Sequence, residues 1–473
     1  MPTRKQPPQD HYIVEASWIL GYHKGQLVLL PDASMRVQGD RIAAVQPGKI
    51  EGDLPRLKLK RHLVVPGFIN GHTHVASGTA TRGIIEGGRS YSRPLKIMET
   101  LSDEELNDLT AFNLAEILKS GCTTQIEMSL SLRQAEAYVR VAEKWGVRGY
   151  PGGMIPGTGR LDKVWFRKDD RALFDSVPDT LAEIAANLEF GRRAMNAGNG
   201  RIRPMIAPHA TDTHTEETMK ALVGASRELG TGIHIHLSQG AMETAAVRRL
   251  WGGLSPTQWL EKMGAFEGPL FGAHMSALDW STDPQILVRH GAVYAHCPSA
   301  GGAGGHTQPY PEALGAGMQV NVAIDTHSND YLENMKLAVI GGRARAKLVA
   351  DRGLPVKIPT MWTAMEGATL VPAKALGRDD IGRIAPGAKA DFASIDVSGF
   401  LVGAGAPPPE PLNNLLYATG AAVRHVATDG RFQVFDGTLT VDDEKAVYRR
   451  GGVVVKKIWK QLQKEGWFTP TPH

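Results

Sequence analysis

The middle of the chain alternates strand-type and helix-type segments. Short apolar runs of strand length recur from residue 63 to residue 325, and stretches with helical spacing separate them. Such alternation favours a parallel sheet covered by helices, and eight strands over about 260 residues match the size of a (β/α)8 barrel. The sequence therefore predicts an α/β chain built around a TIM-type barrel. The predicted helices cover residues 103–120, 132–145, 179–196, 216–229, 241–250 and 284–289.

The two ends of the chain have a different sequence pattern. Residues 12–64, 382–396 and 423–441 carry runs of alternating apolar and polar residues, separated by Gly, Pro and Asp, which is typical of antiparallel strands. Because chain termini often lie close together, we expect the two ends to form one small β-sandwich domain. The expected division is β-sandwich in 1–64 and 372–443, barrel in 65–371, and an amphipathic helical tail in 444–473.

The charge and the composition exclude several classes of protein. The 53 basic and 49 acidic residues form no long block of one sign, so neither nucleic acid nor a membrane surface is expected as a partner. The two cysteines, Cys122 and Cys297, cannot make a disulfide framework. The N-terminus lacks the apolar stretch of a signal peptide, and no apolar run reaches about 18 residues. A cytoplasmic location is therefore expected.

Histidines stand where the predicted strands end. The first strand closes with His72 and His74, which are two residues apart and share one face of an extended chain, so both imidazoles can reach one metal ion. The carboxyl ends of barrel strands meet at one mouth, where these side chains are expected to lie together. A single buried histidine is more often structural, but a set of this size indicates a metal site. The later strands end in His209, in His234 and His236, and in His274, His296 and Asp325.

The motifs around these residues resemble those of the metal-dependent amidohydrolase superfamily. The chain is most similar to the branch with guanine and S-adenosylhomocysteine deaminases and triazine (atrazine-type) hydrolases. The resemblance covers nearly the whole chain; it is specific for the fold and for metal-centred hydrolysis, and much less specific for the substrate. The motifs are PGFINGHTHV, APHATDTH, IHLSQ, GAH, AHCPSA, AIDTHSND and IGRIAPGAKADFASID.

The resemblance implies one metal ion held by four residues. Matched by position, the ligands are His72, His74, His236 and Asp325. Three neutral imidazoles and one carboxylate suit Zn²⁺ best, although Fe²⁺ or Co²⁺ can occupy the same set. Relatives with two metals would carry a lysine at the end of strand 4, which here reads PMIAPH. His234 shares the face of His236, and strand alternation leaves open which of the two binds the metal.

The resemblance also implies the catalytic roles. A bound divalent cation lowers the pKa of a coordinated water from about 16 towards about 7. Asp325 is expected to act as general base, and His274 to orient the water and stabilise the developing oxyanion. Three residues after the strand-5 ligand the relatives usually carry a glutamate that shuttles a proton, but this chain has Gln239, whose amide cannot do so. Glu243 can take over that role, or it is a solvated helix residue.

Three further residues are candidates for substrate binding. His209 and Arg82 match positions that touch substrate in the relatives, and for each a surface-loop role is the alternative. Asn329 is expected to fix the loop after Asp325 beside the substrate. The Gly-rich segment 299–311 lacks the frame of a phosphate-binding loop and is predicted to be a flexible lip over the site.

The missing glutamate bears on the substrate. Attack on an N-heterocycle places charge on a ring nitrogen that needs a proton, whereas an amide, carbamate or urea places charge on oxygen, which a metal can stabilise directly. We therefore expect hydrolysis of an amide-like C–N bond in a small molecule by a homo-oligomer, dimeric or larger. The alternatives are a deaminase or dechlorinase of a triazine, purine or pterin, and a catalytically degenerate binding protein that keeps the fold.

Overall fold

The computed structural model describes residues 6–84, 87, 89, 92–157, 170–398 and 408–467. Residues 1–5 and 468–473 of the two predicted end segments lie outside the described residues. The strands are β1 (His11–His23), β2 (Gln26–Gln38), β3 (Arg41–Pro47), β4 (Arg56–Pro66), β5 (Phe68–Thr73), β6 (Cys122–Ser129), β7 (Arg148–Ile155), β8 (Ala207–Pro208), β9 (Ile233–Leu237), β10 (Leu270–His274), β11 (Val293–His296), β12 (Gln319–Val322), β13 (Phe392–Asp396), β14 (Val423–Thr428), β15 (Arg431–Phe435) and β16 (Thr438–Leu439).

Helices separate the central strands, as the alternating pattern predicts. Three of the predicted helices have the predicted bounds, and the others differ by a few residues. The helices of six or more residues are Ser92–Met98, Asp103–Lys119, Leu132–Trp145, Val177–Ala194, Glu216–Leu229, Ala241–Leu250, Pro256–Lys262, Asp283–His290, Pro298–Ala303, Tyr310–Gly315, Tyr331–Leu348, Met361–Ala368, Leu370–Ala375 and Glu444–Lys464.

The central strands form two parallel sheets of four strands each. One sheet has the order β5-β6-β7-β8 and the other the order β12-β11-β10-β9. Isolated bridges connect their edges: Ile206 pairs with Ile233 and Ala210 with His236 on one side, and Thr73 pairs with Asp325 on the other. All eight strands predicted for this region are present, and their carboxyl ends lie at one edge of the curled sheets. The site residues are brought together there.

Strands from both ends of the chain form a single eight-stranded sheet. Its order is β16-β15-β14-β13-β4-β1-β2-β3, so the predicted union of the two ends is confirmed. The expectation of purely antiparallel pairing is wrong, because β1 and β4 run parallel. After β3 the chain runs back past β2 to the edge of β1 that does not pair with β2. There β4 starts at the same end of the sheet as β1, so the two strands are parallel. These pairings define one sheet, and a two-layer sandwich stays a prediction.

The chain passes from the terminal sheet to the central sheets at Gly67. The apolar residues before His72 belong to two strands, because β4 ends at Pro66 and β5 begins at Phe68. A Cβ atom on Gly67 would lie 2.3 Å from Oγ1 of Thr123, so a larger residue would push the two segments apart. Only the residues after this break lead to the site.

A buried ion pair joins the two parts of the molecule. Arg148 on β7 is 1% exposed and donates to both carboxylate oxygens of Asp391 at 2.9 and 3.1 Å. It also donates to Asp429 at 2.8 Å. Asp391 precedes β13 and Asp429 follows β14, so the guanidinium fixes the terminal sheet against the central strands.

The C-terminal helix Glu444–Lys464 is amphipathic, as the sequence predicts. The carboxylate of Asp443 caps its first turn by accepting from the amides of Lys445 and Ala446. Its apolar face, which includes Val454 and Ile458, packs in one buried cluster with residues of the helix Asp103–Lys119. The described residues include no helix long and apolar enough to cross a membrane.

Candidate active site

His72 and His74 lie together at the end of β5. Both are buried, and their ring centroids are 4.7 Å apart. Nδ1 of His74 lies 2.5 Å from the carbonyl oxygen of Met128. A carbonyl only accepts, so this nitrogen carries the hydrogen and Nε2 keeps a lone pair. Nδ1 of His72 lies 2.7 Å from Nε2 of His234, and Nε2 of His72 is buried with no hydrogen-bond partner.

His236 reaches the same point from the end of β9. Its Nδ1 donates to the carbonyl oxygen of His209 at 2.8 Å, which again leaves the lone pair on Nε2. The candidate ligand atoms of His72, His74 and His236 all lie within 4.8 Å of one another. His234 lies behind His72, because its ring nitrogen faces Nδ1 of that residue. The geometry thus groups His236, rather than His234, with the pair on β5.

Asp325 approaches the three imidazoles from the segment after β12. Its Oδ1 lies 3.7 Å from Nε2 of His72 and 3.4 Å from Nε2 of His74. The backbone is held by its own amide, which donates to the carbonyl oxygen of His72 at 3.0 Å. Asp325 has φ of +61°, which is uncommon for a non-glycine residue and is typical of functional sites. Residues more than 250 positions apart in the chain thus meet in one cluster.

Burial sets the protonation of this cluster. Loss of solvation lowers the pKa of His72 well below its usual range, with neighbouring histidines adding to the effect. It lowers the pKa of His74 to about 3 and that of His236 to about 4. Burial raises the pKa of Asp325 to about 6. At neutral pH the cluster therefore offers three neutral imidazoles and a carboxylate, and the unpartnered Nε2 of His72 fits a divalent cation.

A cavity of about 480 Å³, counting the space open to solvent, adjoins this cluster. Its apolar wall consists of Leu95, Leu130 and Met154, which belong to one buried cluster. The other lining residues supply imidazoles, hydroxyls and an amide, and Asp325 is the one charged residue among the described lining residues. The described lining residues are His74, Ser77, Leu95, Leu130, Met154, His209, His236, Gln239, His274, Asp325 and Thr326.

Gln239 lines the cavity, whereas Glu243 does not. Gln239 is exposed at the rim, as expected for a residue just after β9. Glu243 is 7% exposed, so its interpretation as a solvated helix residue is wrong. Its two oxygens accept from the hydroxyl of Thr211 at 2.5 Å and from the amide of Gln239 at 2.7 Å. Glu243 therefore fixes the loop that carries Gln239, and burial raises its pKa to about 7.

Arg82 and Asn329 lie behind the cavity. The guanidinium of Arg82 donates to Glu116 at 2.8 and 3.3 Å and to the carbonyl oxygen of His327 at 3.2 Å. Asn329 donates to Glu116 at 2.9 Å and to Asn113 at 3.1 Å. Asn329 thus holds the loop after Asp325, as predicted. Neither side chain is among the described lining residues, so the geometry does not support substrate contact by Arg82 or Asn329.

The segment 299–311 differs from the predicted flexible lip. Residues Pro298–Ala303 form a helix, and Gln308 and Tyr310 are buried. Oε1 of Gln308 accepts from the amide of Cys297 at 2.9 Å, and Nε2 lies 3.2 Å from Nδ1 of His274. The glycines suggested a loop, but the Gln-Pro-Tyr that follows them packs into the interior. Sequence reasoning missed Gln308 for this reason.

Glu127 is a second residue that sequence reasoning missed. It lies on β6, is 1% exposed and accepts from the amide of Val75 at 3.0 Å and the hydroxyl of Ser129 at 2.8 Å. Burial raises the pKa of its carboxyl to about 8. Val75 directly follows His74, so Glu127 supports the backbone of the HTH motif. A single acid between Ile126 and Met128 in a strand-type segment was the available signal.

Cys297 also reaches the cluster. Its Sγ forms a second group of candidate ligand atoms with those of His72, His274 and Asp325. The atoms of this group all lie within 4.8 Å of one another. Burial raises the pKa of this thiol well above its usual range, so it stays neutral and is a weaker ligand than an imidazole. The three-histidine group is therefore the better cation site of the two.

Comparison with known proteins agrees with this geometry. The model of the amidohydrolase family matches residues 63–432. The chain is 29% identical over 446 residues to a 5-methylthioadenosine/S-adenosylhomocysteine deaminase of Desulfitobacterium hafniense. The aligned region covers 89% of this chain and 92% of the relative. A protein of the same name from Haloarcula marismortui is 28% identical over 449 residues, covering 90% of this chain and 95% of the relative.

Solved structures share the fold. An adenosine deaminase from Xanthomonas campestris with bound zinc superposes with a TM-score of 0.77 at 22% identity and covers 96% of this chain and 100% of its own. An atrazine chlorohydrolase from Arthrobacter aurescens complexed with zinc has a TM-score of 0.78 at 18% identity, covering 94% and 100%. The chain belongs to the amidohydrolase family. It is thus an enzyme of the metal-dependent hydrolases that act on carbon–nitrogen bonds.

Proposed function

We propose that this enzyme hydrolyses an amide, carbamate or urea-like C–N bond of a small molecule with one divalent metal ion. His72, His74, His236 and Asp325 would hold the metal, with Zn²⁺ the best match to this donor set and Fe²⁺ or Co²⁺ as alternatives. We further infer that the two central sheets close into one (β/α)8 barrel with the site at its mouth. The homo-oligomer and the cytoplasmic location stay predictions.

The residues of the site have separate roles in the proposed reaction. A bound divalent cation activates water and polarises the group under attack. Asp325 accepts the proton of the attacking water and returns it to the leaving nitrogen. His274, whose Nε2 lies 3.9 Å from Oδ2 of Asp325, stabilises the oxygen on which charge develops. His209 lines the cavity and is the proposed substrate contact.

The observation that carries the preference for an amide-like bond is the absence of a second carboxylate. Among the described residues that line the cavity, Asp325 is the one carboxylate, and the rim position after β9 holds the amide of Gln239. Glu243 is the nearest acid in sequence, but both of its oxygens accept hydrogen bonds from protein groups. A ring nitrogen that needs a proton would have to share Asp325 with the attacking water. A carbonyl oxygen needs no such donor.

Deamination of an N-heterocycle is the second candidate, and the comparisons favour it. The relatives that match most of this chain are named deaminases of 5-methylthioadenosine and S-adenosylhomocysteine. A guanine deaminase of C. acetobutylicum also shares the fold, with a TM-score of 0.72. In this case Asp325 would serve both the water and the ring nitrogen. The apolar wall of the cavity would accept the face of a flat ring.

A substrate panel separates the two candidates. Zinc-loaded protein is assayed on anilides, ureas and thiocarbamates, and on purines, pterins and triazines, with Asp325→Asn as the matched inactive variant. Turnover of the first set, lost in the variant, supports the proposal. Turnover of the heterocycles alone overturns the preference for an acyl bond. A protein that retains no zinc after loading and turns over neither set would support the degenerate binding protein instead.

A further inference from the structure

Gln308 is nearly fully buried next to the site and makes contacts that fix its orientation. It is 4% exposed and follows the helix Pro298–Ala303. Its Oε1 accepts from the backbone amide of Cys297 at 2.9 Å. A backbone amide can only donate, so the atom that faces it must be the oxygen. The nitrogen of the side chain therefore points the other way.

Two more polar groups contact the same oxygen. Nδ1 of His296 lies 3.0 Å from Oε1 of Gln308, and the hydroxyl of Tyr294 donates to it at 3.3 Å. Turning the amide over would bring its NH₂ group against the amide hydrogen of Cys297. The surroundings thus hold Gln308 in one of its two amide orientations.

This orientation decides which nitrogen of His274 carries the hydrogen. Nε2 of Gln308 lies 3.2 Å from Nδ1 of His274 and has only hydrogens to offer. Nδ1 of His274 must therefore accept, and a neutral imidazole then carries its hydrogen on Nε2. That nitrogen points into the cavity, 3.9 Å from Oδ2 of Asp325. The imidazoles of His74 and His236 have the opposite tautomer, because each donates from Nδ1 to a carbonyl.

We propose that Gln308 is a positioning residue that locks His274 as an Nε2–H hydrogen-bond donor towards the reacting oxygen. His274 has no lone pair on the nitrogen that faces the cluster, so in this state it is not a metal ligand. His74 and His236 instead keep their lone pairs on Nε2. The tautomer is a property of the protein alone, whereas its catalytic consequence rests on the proposed function.

The tautomer can be measured without metal or substrate. Metal-free protein labelled with ¹⁵N-histidine is examined by long-range ¹H–¹⁵N NMR at neutral pH, and the His274 signals are assigned by their loss in His274→Asn. The expected result is a protonated Nε2 and an unprotonated Nδ1. A hydrogen on Nδ1 in the wild-type protein would overturn the proposal.

Two variants of Gln308 test its role, with the exposed Gln46→Glu as matched control. In Gln308→Glu one carboxylate oxygen still accepts from Cys297 while the other accepts from His274, so the hydrogen of His274 should move to Nδ1. Gln308→Met removes both contacts and should leave a mixture of tautomers. Unchanged His274 signals in both variants would overturn the proposal, and if Gln308→Glu does not fold, Gln308→Met decides.

Activity provides a second readout. For any C–N substrate that the enzyme turns over, kcat of Gln308→Glu should fall at least about tenfold, with KM changed less than about twofold. Metal content should stay at the wild-type level. An equal fall in the control, or a fall that follows metal loss, would contradict a positioning role. If no substrate is turned over, the proposed function fails, and the NMR result still decides the tautomer.

Discussion

Hydrogen bonds to fixed partners set the tautomers of imidazoles in the site. The carbonyl of Met128 fixes the tautomer of His74, and the carbonyl of His209 fixes that of His236. Both partners are backbone atoms at strand ends, so the fold itself holds the lone pairs towards the cluster. At this scale we expect the chain to differ from its relatives at Gln239, where the resemblance predicts a glutamate and this chain has an amide at the cavity rim.

Gln239→Glu tests the importance of that difference. The new carboxylate at the rim could protonate a ring nitrogen, so turnover of N-heterocycles relative to amides should rise by about tenfold or more. Gln239→Asn keeps an amide at the same place and should leave the ratio unchanged. The check is kcat/KM on one heterocycle and one anilide for the three proteins. An unchanged ratio in Gln239→Glu would show that the proton comes from elsewhere.

The sequence predicts part of this site, and the reason differs from residue to residue. His72, His74 and Asp325 could be predicted to lie together because the ends of parallel strands meet at one place. The choice of His236 over His234 as a cation ligand needed the tertiary contact between His234 and His72. Arg82 was a substrate candidate because its position matches one that touches substrate in the relatives, and its ion pair with Glu116, 34 residues away, is a contact that no local pattern reveals.

Elements were predicted well where local signals agree. The helix Leu132–Trp145 has Ser131 as its N-cap and ends at Gly146 with φ of +71°, so its bounds follow from the sequence. The domain boundary was expected at 64/65, and β4 ends two residues later at Pro66. The close approach of Gly67 to Thr123 is a long-range contact that the sequence does not reveal.

The C-terminal helix allows a matched test of packing at this scale. Val454 is 3% exposed and Val453 is 63% exposed, and both lie inside the same helix. Val454→Ala should lower the free energy of unfolding by about 2 kcal/mol through lost burial and a cavity. Val453→Ala changes helix propensity equally and should stay within about 0.5 kcal/mol. Urea denaturation of both variants measures this, and equal losses would contradict the described packing.

Neutral histidines are also buried outside the candidate ligand set. His214 precedes the helix Glu216–Leu229, with its Nδ1 3.4 Å from the hydroxyl of Thr218, and His425 lies on β14 in the terminal sheet. Burial lowers the pKa of each to about 4. An unfolded chain binds protons at these groups near pH 6.5. Between those values the unfolded state holds more protons than the folded one, so acid favours unfolding.

The contribution of these histidines to the free energy of unfolding should therefore fall as the pH falls from about 6.5 to about 4, by up to about 1.4 kcal/mol per pH unit for each. Above pH 6.5 these groups are neutral in both states and add no slope. His425→Gln removes one such group, so its stability should fall less steeply with acid than that of the wild-type protein. Urea unfolding at pH 7.5, 6.0 and 5.0 measures the slope. Equal slopes for the two proteins would contradict the neutral burial of His425.

The central claim is that residues far apart in the chain hold one catalytic cation at the mouth of the central sheets. Anomalous diffraction at the zinc edge from zinc-loaded crystals tests it most directly. We expect one peak at about 2.0–2.2 Å from Nε2 of His72, His74 and His236 and from an oxygen of Asp325. A peak bound to other residues, or an enzyme that is fully active with no peak at this position, would contradict it.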